Sequence, residues 1–435
     1  MHNQTKQRRE RFLQQIAGGA AIFPAAPTAL RNGDVEHAYR QDSDLYYLTG
    51  LEENGSVAVL VPDQPENRFV LFVLPKDRNR EIWTGWRVGE ESAKQDYGAD
   101  AAFSIDKLEE ELPKLIARAD RIYYRFGTDP EFDERMTRLM QRFNHQRQRD
   151  GYGPAAVFDP SDILHEMRLV KTPEDIEDLM RAVGITCEGH IAAAKKLRPG
   201  AFEYEVQAEL EYVFRKNGSP RNGYASIVAA GSNATVLHYT TNNQRIRDGD
   251  LVLIDAGTEF GYFTGDVTRT WPANGVFSDA QRELYEVVLT AQLEAIDMVK
   301  PGASFIEPHD RAVRALTEGM IRLGLLEGDV AKAIEQGDYR KFYMHRTSHW
   351  LGLDVHDVGR YKSGEQWRTL EPGMVLTIEP GLYLAEDLEG VPERYRGVGI
   401  RIEDDVLVTS AGNCVLSDLV PKGIDEIEAL MLEAR

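Results

Sequence analysis

Residues 251–270 read LVLIDAGTEFGYFTGDVTRT, and the way this stretch pairs with itself decides the fold. Leu251-Val252-Leu253-Ile254 is an apolar run with β-branched members, the pattern of a buried strand, and Asp255 ends it. Asp266 opens a second run of strand formers eleven residues later. Gly261 can take the dihedrals of a tight turn, so a hairpin centred on Glu259-Phe260-Gly261-Tyr262 is predicted. With an even-numbered loop, opposed residues are an odd number apart, and Asp255 and Asp266 then share one face. An odd loop or a bulge would break that relation. Acids are depleted in strands and costly where apolar neighbours exclude water, so two on one such face require a cause.

Working outward, the surrounding region repeats itself. KLRPGAFEYEVQAELEYVFRKNG (196–218) is echoed by VKPGASFIEPHDRAVRALTEGMIRLG (299–324), each a Pro-Gly-Ala stop followed by an amphipathic helix ending at Gly. Gly249 lies six residues before Asp255 in GDLVLIDAG, and Gly373 lies six before Glu379 in GMVLTIEPG. Both strands end in acid-x-Gly, and each follows a histidine, His238 or His356. The echo predicts a pseudo-twofold domain with a carboxylate at the end of a buried strand in each half. A fourth acid, Glu403, sits in the apolar setting of GIRIEDDVLV. Like charges ~4 Å apart repel by about 4 kcal/mol at an effective dielectric near 20. Four converging carboxylates must therefore protonate or be neutralised, and two divalent ions would balance their charge.

HRTSHWLGLDVHD (345–357) holds three of the ten histidines. The His345-xxx-His349 spacing matches a zinc-protease helix, but that mechanism needs Glu after the first His, and Arg346 stands there in flanks that read as strand. One imidazole added to four carboxylates makes an oxygen-rich donor set. Such a set suits manganese, or cobalt or zinc according to supply, better than a thiolate-selected metal. Paired ions can polarise a carbonyl and hold a hydroxide near neutral pH, which is hydrolase chemistry.

The whole chain sets the frame. At 435 residues two domains are expected, with boundaries at 1–168 and 169–435. Strand-like segments at 56–61, 68–74 and 121–124 among helical stretches read as an N-terminal α/β domain, and the polar QRQRDGYGP (146–154) reads as a linker. Thr172 as N-cap, Pro173 at the first helical position and Asp175 as capping-box partner predict a helix start, with Pro199-Gly200 as the stop. A net charge of −20 argues against nucleic acid or an anionic membrane as partner. Two cysteines without a CxxC motif make a reducing cytoplasm the simplest setting. Gln14, Gln15 and Pro24 interrupt the apolar part of the N-terminus and argue against a signal peptide.

IDAG…GDVTRT, SHWLGLDVHD, LTIEPGLY and GIRIEDD, in this order, resemble the "pita-bread" metallopeptidases, and most closely the bacterial aminopeptidase P (Xaa-Pro aminopeptidase) family. YRQDSDLYYLTG (39–50), EIWTGWRVG (81–89) and LHEMRLVKTPEDI extend the resemblance through nearly the whole chain. It implies an α/β (α+β) protein whose N-terminal domain precedes a pseudo-twofold pita-bread catalytic domain. It also implies a dinuclear site, most favourably Mn2+ with Co2+ or Zn2+ as substitutes, held by Asp255, Asp266, His349, Glu379 and Glu403. Asp266 and Glu403 would bridge the ions, and Glu379 would relay a proton. His238 and His356 would flank the scissile bond. His345, Tyr383 and Arg401 would line the pocket for proline and its neighbour, with Tyr224 and Trp83 as further substrate contacts, Trp83 acting on a neighbouring subunit. The implied substrates are peptides with proline at position two, attacked by a metal-bridging hydroxide, and the implied assembly is a homodimer or homotetramer. A prolidase cleaving Xaa-Pro dipeptides is the rival within the fold, and a catalytically silent binding protein the rival outside the class. The chain departs from the family at Arg346, where Gly is usual; that cation could narrow the pocket, meet a substrate carboxylate or point to solvent.

Overall fold

The computed structural model describes residues 2–433 and divides into two compact units at Glu166/Met167. The first unit is built on a six-stranded sheet of β1 (Gly19–Pro24), β2 (Val57–Leu60), β3 (Phe69–Val73), β4 (Ala101–Ser104), β5 (Arg121–Tyr123) and β6 (Ala156–Phe158). Their order is β4-β3-β2-β1-β5-β6. β1, β2 and β3 pair antiparallel, and the outer strands join in parallel. β2 and β3, VAVL and FVLFV, are apolar throughout because both faces of the sheet centre are covered. Helix α1 (Arg78–Thr84) lies at the surface of this unit. Helix α2 (Pro130–Asp150) buries Phe132, Met136, Leu139 and Phe143, a spacing of four, three and four that keeps one stripe on the core.

The polar segment at 146–154 is not a linker. It is the last turn of α2, capped by Gly151 in the left-handed conformation at φ 77°, after which the chain returns to the sheet as β6. The change of composition marks a helix C-cap inside the first unit, a role for which Gly is equally suited.

The second unit carries the repeat. Helix α3 (Pro173–Lys196) begins at Thr172, whose hydroxyl accepts from the Asp175 amide at 3.2 Å while the Asp175 carboxylate accepts from the Thr172 amide at 2.9 Å. It packs on α4 (Glu203–Lys216), as α5 (Asp279–Ile296) packs on α6 (Glu307–Arg322). Each helix pair is followed by an antiparallel sheet. The first contains β7 (Ile227–Ala230), β8 (Leu251–Ala256) and β9 (Val267–Pro272) in that order. The second contains β10 (Val375–Ile378), then, beyond the ribbon of β11 (Gly381–Leu384) and β12 (Val398–Arg401), β13 (Asp404–Thr409) and β14 (Gly412–Val415). Residues 347–351 lie along β10 as β7 lies along β8. The Thr377 amide donates to His349 O at 3.0 Å, the Glu379 amide to Thr347 O at 2.8 Å and the Leu351 amide to Val375 O at 3.1 Å. The sheets meet at a seam where the Glu403 amide donates to Thr268 O at 3.0 Å.

The hairpin at 251–272 keeps one register from base to tip. Ala256 opposes Val267, Glu259 opposes Thr264 and Phe260 opposes Phe263. At the tip Gly261 and Tyr262 lie beyond the last pair, both at positive φ (57° and 70°), the two-residue turn whose twist matches that of its strands. The predicted turn is thus tightened to two residues, and a tyrosine rather than a second glycine takes the strained position. Its ring is buried, 5.5 Å from the Arg221 guanidinium carbon. Asp255 opposes Thr268, so Asp266, two residues earlier, lies on the same face as Asp255. Beside them the strands pinch: a Cβ on Gly257 would fall 1.6 Å from the Gly265 carbonyl oxygen. Among the described residues no helix is long and apolar enough to cross a membrane.

Candidate active site

Each acid in the second unit is delivered by a strand end. β8 presents Asp255, the returning limb of the hairpin presents Asp266, the end of β10 presents Glu379, and the step from β12 to β13 presents Glu403. The segment beside β10 adds His349. Ligand atoms of Asp266, His349 and Glu403 lie within 4.8 Å of one another. His349 Nε2 is 3.3 Å from Asp266 Oδ2 and 3.8 Å from Glu379 Oε1. Asp255 joins through Tyr224, whose hydroxyl lies 2.7 Å from Asp255 Oδ1 and 2.5 Å from Asp266 Oδ1. The Thr268 hydroxyl donates to Glu403 Oε2 at 2.6 Å.

The cluster has an excess of negative charge. Arg401 is the one guanidinium bonded to the carboxylate groups of these four acids among the described residues, through Asp255 Oδ2 at 2.5 Å. Burial, reinforced by the Asp266, Glu379 and Asp255 charges, pushes the Glu403 carboxyl well above its usual range. Burial likewise raises Asp255, against the pull of Arg401, and lifts Glu379 to about 7. Burial alone would depress His349, but its hydrogen bond to Asp266 and the Asp266 and Glu379 charges lift it to about 9. Without cations the site therefore holds protons that the unfolded chain would release. Four carboxylates, one imidazole and no thiolate fit hard or borderline divalent ions.

That charge excess sets a pH signature. A carboxylate raised by folding stabilises the fold below its unfolded pKa, and the contribution is lost as pH rises to the folded value. A histidine raised by folding behaves alike, losing its contribution from about 6.5 up to its folded value. For Glu379 and His349 these windows run upward to about 7 and about 9. Asp357 and Asp404, held below the usual range against the cost of burial by Arg168 and Arg269 respectively, lose theirs only under about pH 4. Buried His190, His309, His345 and His356, which burial depresses, act in the opposite direction below about pH 6.5. The metal-stripped protein is therefore expected to melt at progressively lower temperature from pH 7 to pH 9. Saturating Mn2+ should flatten that slope and release protons, measurable by calorimetry in buffers of different ionisation enthalpy. A metal-free melting temperature that rises over this range would exclude the charge-excess account.

The acids open onto a cavity of about 770 Å3, within the size range of small-ligand sites. His345 Nε2 lies 2.8 Å from the Tyr383 hydroxyl, which accepts from Arg401 Nη1 at 3.0 Å. His345 Nδ1 is 3.6 Å from Glu379 Oε2. His356 lies edge-on to His349 with ring centroids 4.4 Å apart, and His238 lines the same cavity. The structure thus gathers Asp255, Asp266, His349, Glu379, Glu403, His238, His356, His345, Tyr383, Arg401 and Tyr224 around one space. Trp83 is on α1 of the first unit, 87% exposed.

A family model for metallopeptidase family M24 matches residues 177–410, more than half of the chain. The chain belongs to metallopeptidase family M24. Divalent-metal binding and hydrolase chemistry go with that membership, and the second unit is its pita-bread domain. The model for the aminopeptidase P N-terminal domain matches residues 5–123. The M24 chain is 44% identical over 432 residues to the Xaa-Pro aminopeptidase of Escherichia coli K12, covering 99% of this chain and 98% of that one. Its structure superposes on aminopeptidase PepP of Pseudomonas aeruginosa with a TM-score of 0.97 at 47% identity, covering 100% and 98% of the two chains. Zinc-substituted E. coli aminopeptidase P in complex with product gives 0.96 at 43% identity, covering 100% and 99%. The E. coli relative is named an Xaa-Pro aminopeptidase, and the E. coli structural neighbour an aminopeptidase P.

Sequence reasoning missed the supports of this M24 site. Arg168 Nη2 donates to Asp357 Oδ1 at 2.6 Å and Lys171 Nζ to Asp357 Oδ2 at 3.1 Å, fixing the loop that carries His356. Buried Arg269 pairs with Asp404 at 2.7 Å directly behind the seam. Strand alternation was the available signal: in IEDD, Asp404 must face away from Glu403, and Arg269 must face away from Thr268.

Proposed function

We propose that the protein removes the first residue from peptides with proline in the second position, at a site formed by Asp255, Asp266, His349, Glu379 and Glu403. The observation that carries the reading is the convergence of these five donors, from both halves of the repeat, at one end of a cavity lined by His238, His345 and His356. Two divalent ions, most favourably Mn2+, would be held by the five side chains. When bound, they would supply Lewis acidity at the scissile carbonyl and lower the pKa of water.

The chain's own residues account for the rest. Glu379 would take a proton from water and return it to the departing proline nitrogen, a reading supported by His345 beside it at 3.6 Å. A bond to proline nitrogen has no N–H, so a site that recognises it must hold the ring and the flanking carbonyls instead. His238 and His356 face the cavity with N–H groups suited to carbonyl oxygens. Tyr224 orients Asp255 and Asp266 through its hydroxyl, and Arg401 fixes Asp255 while bracing Tyr383. Such an enzyme acts as a homodimer or homotetramer in which exposed Trp83, with Trp86 and Ile82 beside it, reaches a neighbour's site; their exposures of 87%, 87% and 71% support a covered surface. Free Cys187 and Cys414 support a reducing, cytoplasmic setting.

The test is hydrolysis by metal-stripped enzyme restored with Mn2+, using an Xaa-Pro-Pro tripeptide, the Xaa-Pro dipeptide and an all-alanine tripeptide. Cleavage of the proline tripeptide alone, absent without metal, is expected. Preference for the dipeptide would make the protein a prolidase, and cleavage of the alanine peptide would remove the proline requirement.

A further inference from the structure

Two guanidinium groups line the cavity, and they differ in how they are satisfied. Arg401 is fully engaged: Nη2 donates to Asp255 at 2.5 Å, Nη1 to Tyr383 at 3.0 Å and Nε to the Thr268 hydroxyl at 3.3 Å. Arg346 lines the same cavity at an exposed position, and among the described residues no carboxylate comes within ion-pair distance of it. Its guanidinium carbon lies 5.1 Å from the centre of the Trp367 ring. Lys362 Nζ lies 4.1 Å from the same centre, so two positive charges share one indole.

The indole is itself held firmly. Trp367 stacks near Phe305 at 6.2 Å, and Phe305 packs on Trp350 at 4.5 Å and Tyr361 at 4.8 Å. A guanidinium resting on such a platform loses part of its side-chain freedom while its in-plane N–H edge stays open. That edge matches the two oxygens of a carboxylate. The cavity thus has opposite charge at two places, acids where a substrate amine would lie and an unpaired cation on the wall formed by 345–346.

The distances restrict what the cation can meet. His345 reaches Glu379 at 3.6 Å, and Arg346 follows it one Cα step of about 3.8 Å away. Three residues in extended conformation span about 10 Å. A peptide with its first residue at the acids and its proline beside His345 and Tyr383 therefore brings its third residue towards Arg346.

We propose that Arg346 is a specificity-determining residue that binds a carboxylate carried one residue beyond the proline. That carboxylate is either the C-terminus of an Xaa-Pro-Yaa tripeptide or the side chain of an acidic third residue. The assignment rests on the reading of the protein as an Xaa-Pro aminopeptidase and adds to it a preference among substrates.

The experiment compares kcat/KM of the Mn2+-loaded enzyme for Ala-Pro-Ala, Ala-Pro-Ala-amide and Ala-Pro-Asp-amide, in wild type, Arg346→Gly, Arg346→Gln and Arg346→Lys. Wild type is expected to prefer the free acid over its amide about tenfold, the scale of a charge-assisted hydrogen bond in a partly open site, mainly through KM. The acid-to-amide ratio should fall towards one in the Gly and Gln variants and be partly retained with Lys. Because the readout is a ratio within each protein, a general loss of activity in a variant cancels. Ala-Pro-Asp-amide joining the preferred class identifies the side chain as a sufficient source; its remaining with the neutral amide confines the site to chain ends. Equal kcat/KM for acid and amide in wild type, or a ratio that survives Arg346→Gly and Arg346→Gln, would overturn the proposal. Failure of wild type to cleave any of the three would instead overturn the aminopeptidase reading, and the role of Arg346 with it.

Discussion

Glu379→Gln is expected to lower kcat by about 10^3–10^4-fold while leaving the protein folded. The substitution keeps the size of the side chain and removes both its charge and its capacity to carry a proton. General acid–base catalysis alone accounts for about 10^2–10^4-fold. Glu379 would also hold metal, so the upper part of that range applies. A second readout separates the two roles. In metal-free protein the wild-type carboxylate, raised to about 7 by burial, must ionise against its neighbours as pH rises, whereas glutamine need not. Metal-stripped Glu379→Gln should therefore melt above metal-stripped wild type at pH 8 and converge with it at pH 5. Metal content measured alongside kcat shows whether a binding position has been lost as well. A kcat within tenfold of wild type at full metal occupancy would refute the proton-relay role.

The second large effect is on stability. Arg269 is completely buried and donates to Asp404 at 2.7 Å, to Glu403 O at 2.6 Å, to Thr268 O at 3.0 Å and to Val420 O at 2.9 Å. Asp404 also accepts from Gln292, Ser417 and Lys422, each at 2.6 Å. Replacing Arg269 with methionine fills much of the volume but leaves a buried carboxylate short of its main partner and several carbonyls without donors. Breaking a buried pair from one side costs about 3–5 kcal/mol. For a unit of this size that corresponds to a fall in Tm of about 10 °C. Because Arg269 grips the backbone on both sides of the seam, the variant should also lose metal affinity. Arg269→Met/Asp404→Leu should recover part of the stability, since removing both charges leaves no orphan. A single variant melting within about 2 °C of wild type would show that the pair is dispensable.

The four acids were legible because a carboxylate at the end of an apolar strand contradicts the strand's own chemistry, and because Gly249–Asp255 is echoed by Gly373–Glu379. The shared face of Asp255 and Asp266 followed from parity, which held because the turn closes on two residues. Histidine is different. His349 is one of several histidines on one segment, and only the family resemblance distinguished it from His345 and His356. The polar stretch at 146–154 was misread because a helix C-cap and a linker use the same residues. The buried braces were missed because each joins distant segments: Arg168 and Asp357 are 189 residues apart, Arg269 and Asp404 135. Composition cannot show which charge meets which across such intervals.

The seam between the two sheets also bears on how this protein can change. Asp255 and Asp266 come from the first half of the repeat, His349, Glu379 and Glu403 from the second, and Thr268 with Arg269 ties the two sets together. A chimera that joins the first half of one relative to the second half of another, with its crossover between β9 and α5, would inherit each half's helices and strands unaltered. It would work only if both parents agree at Thr268, Arg269, Glu403 and Asp404. The halves are free to diverge on their outer surfaces, but along this line they must be inherited as a pair.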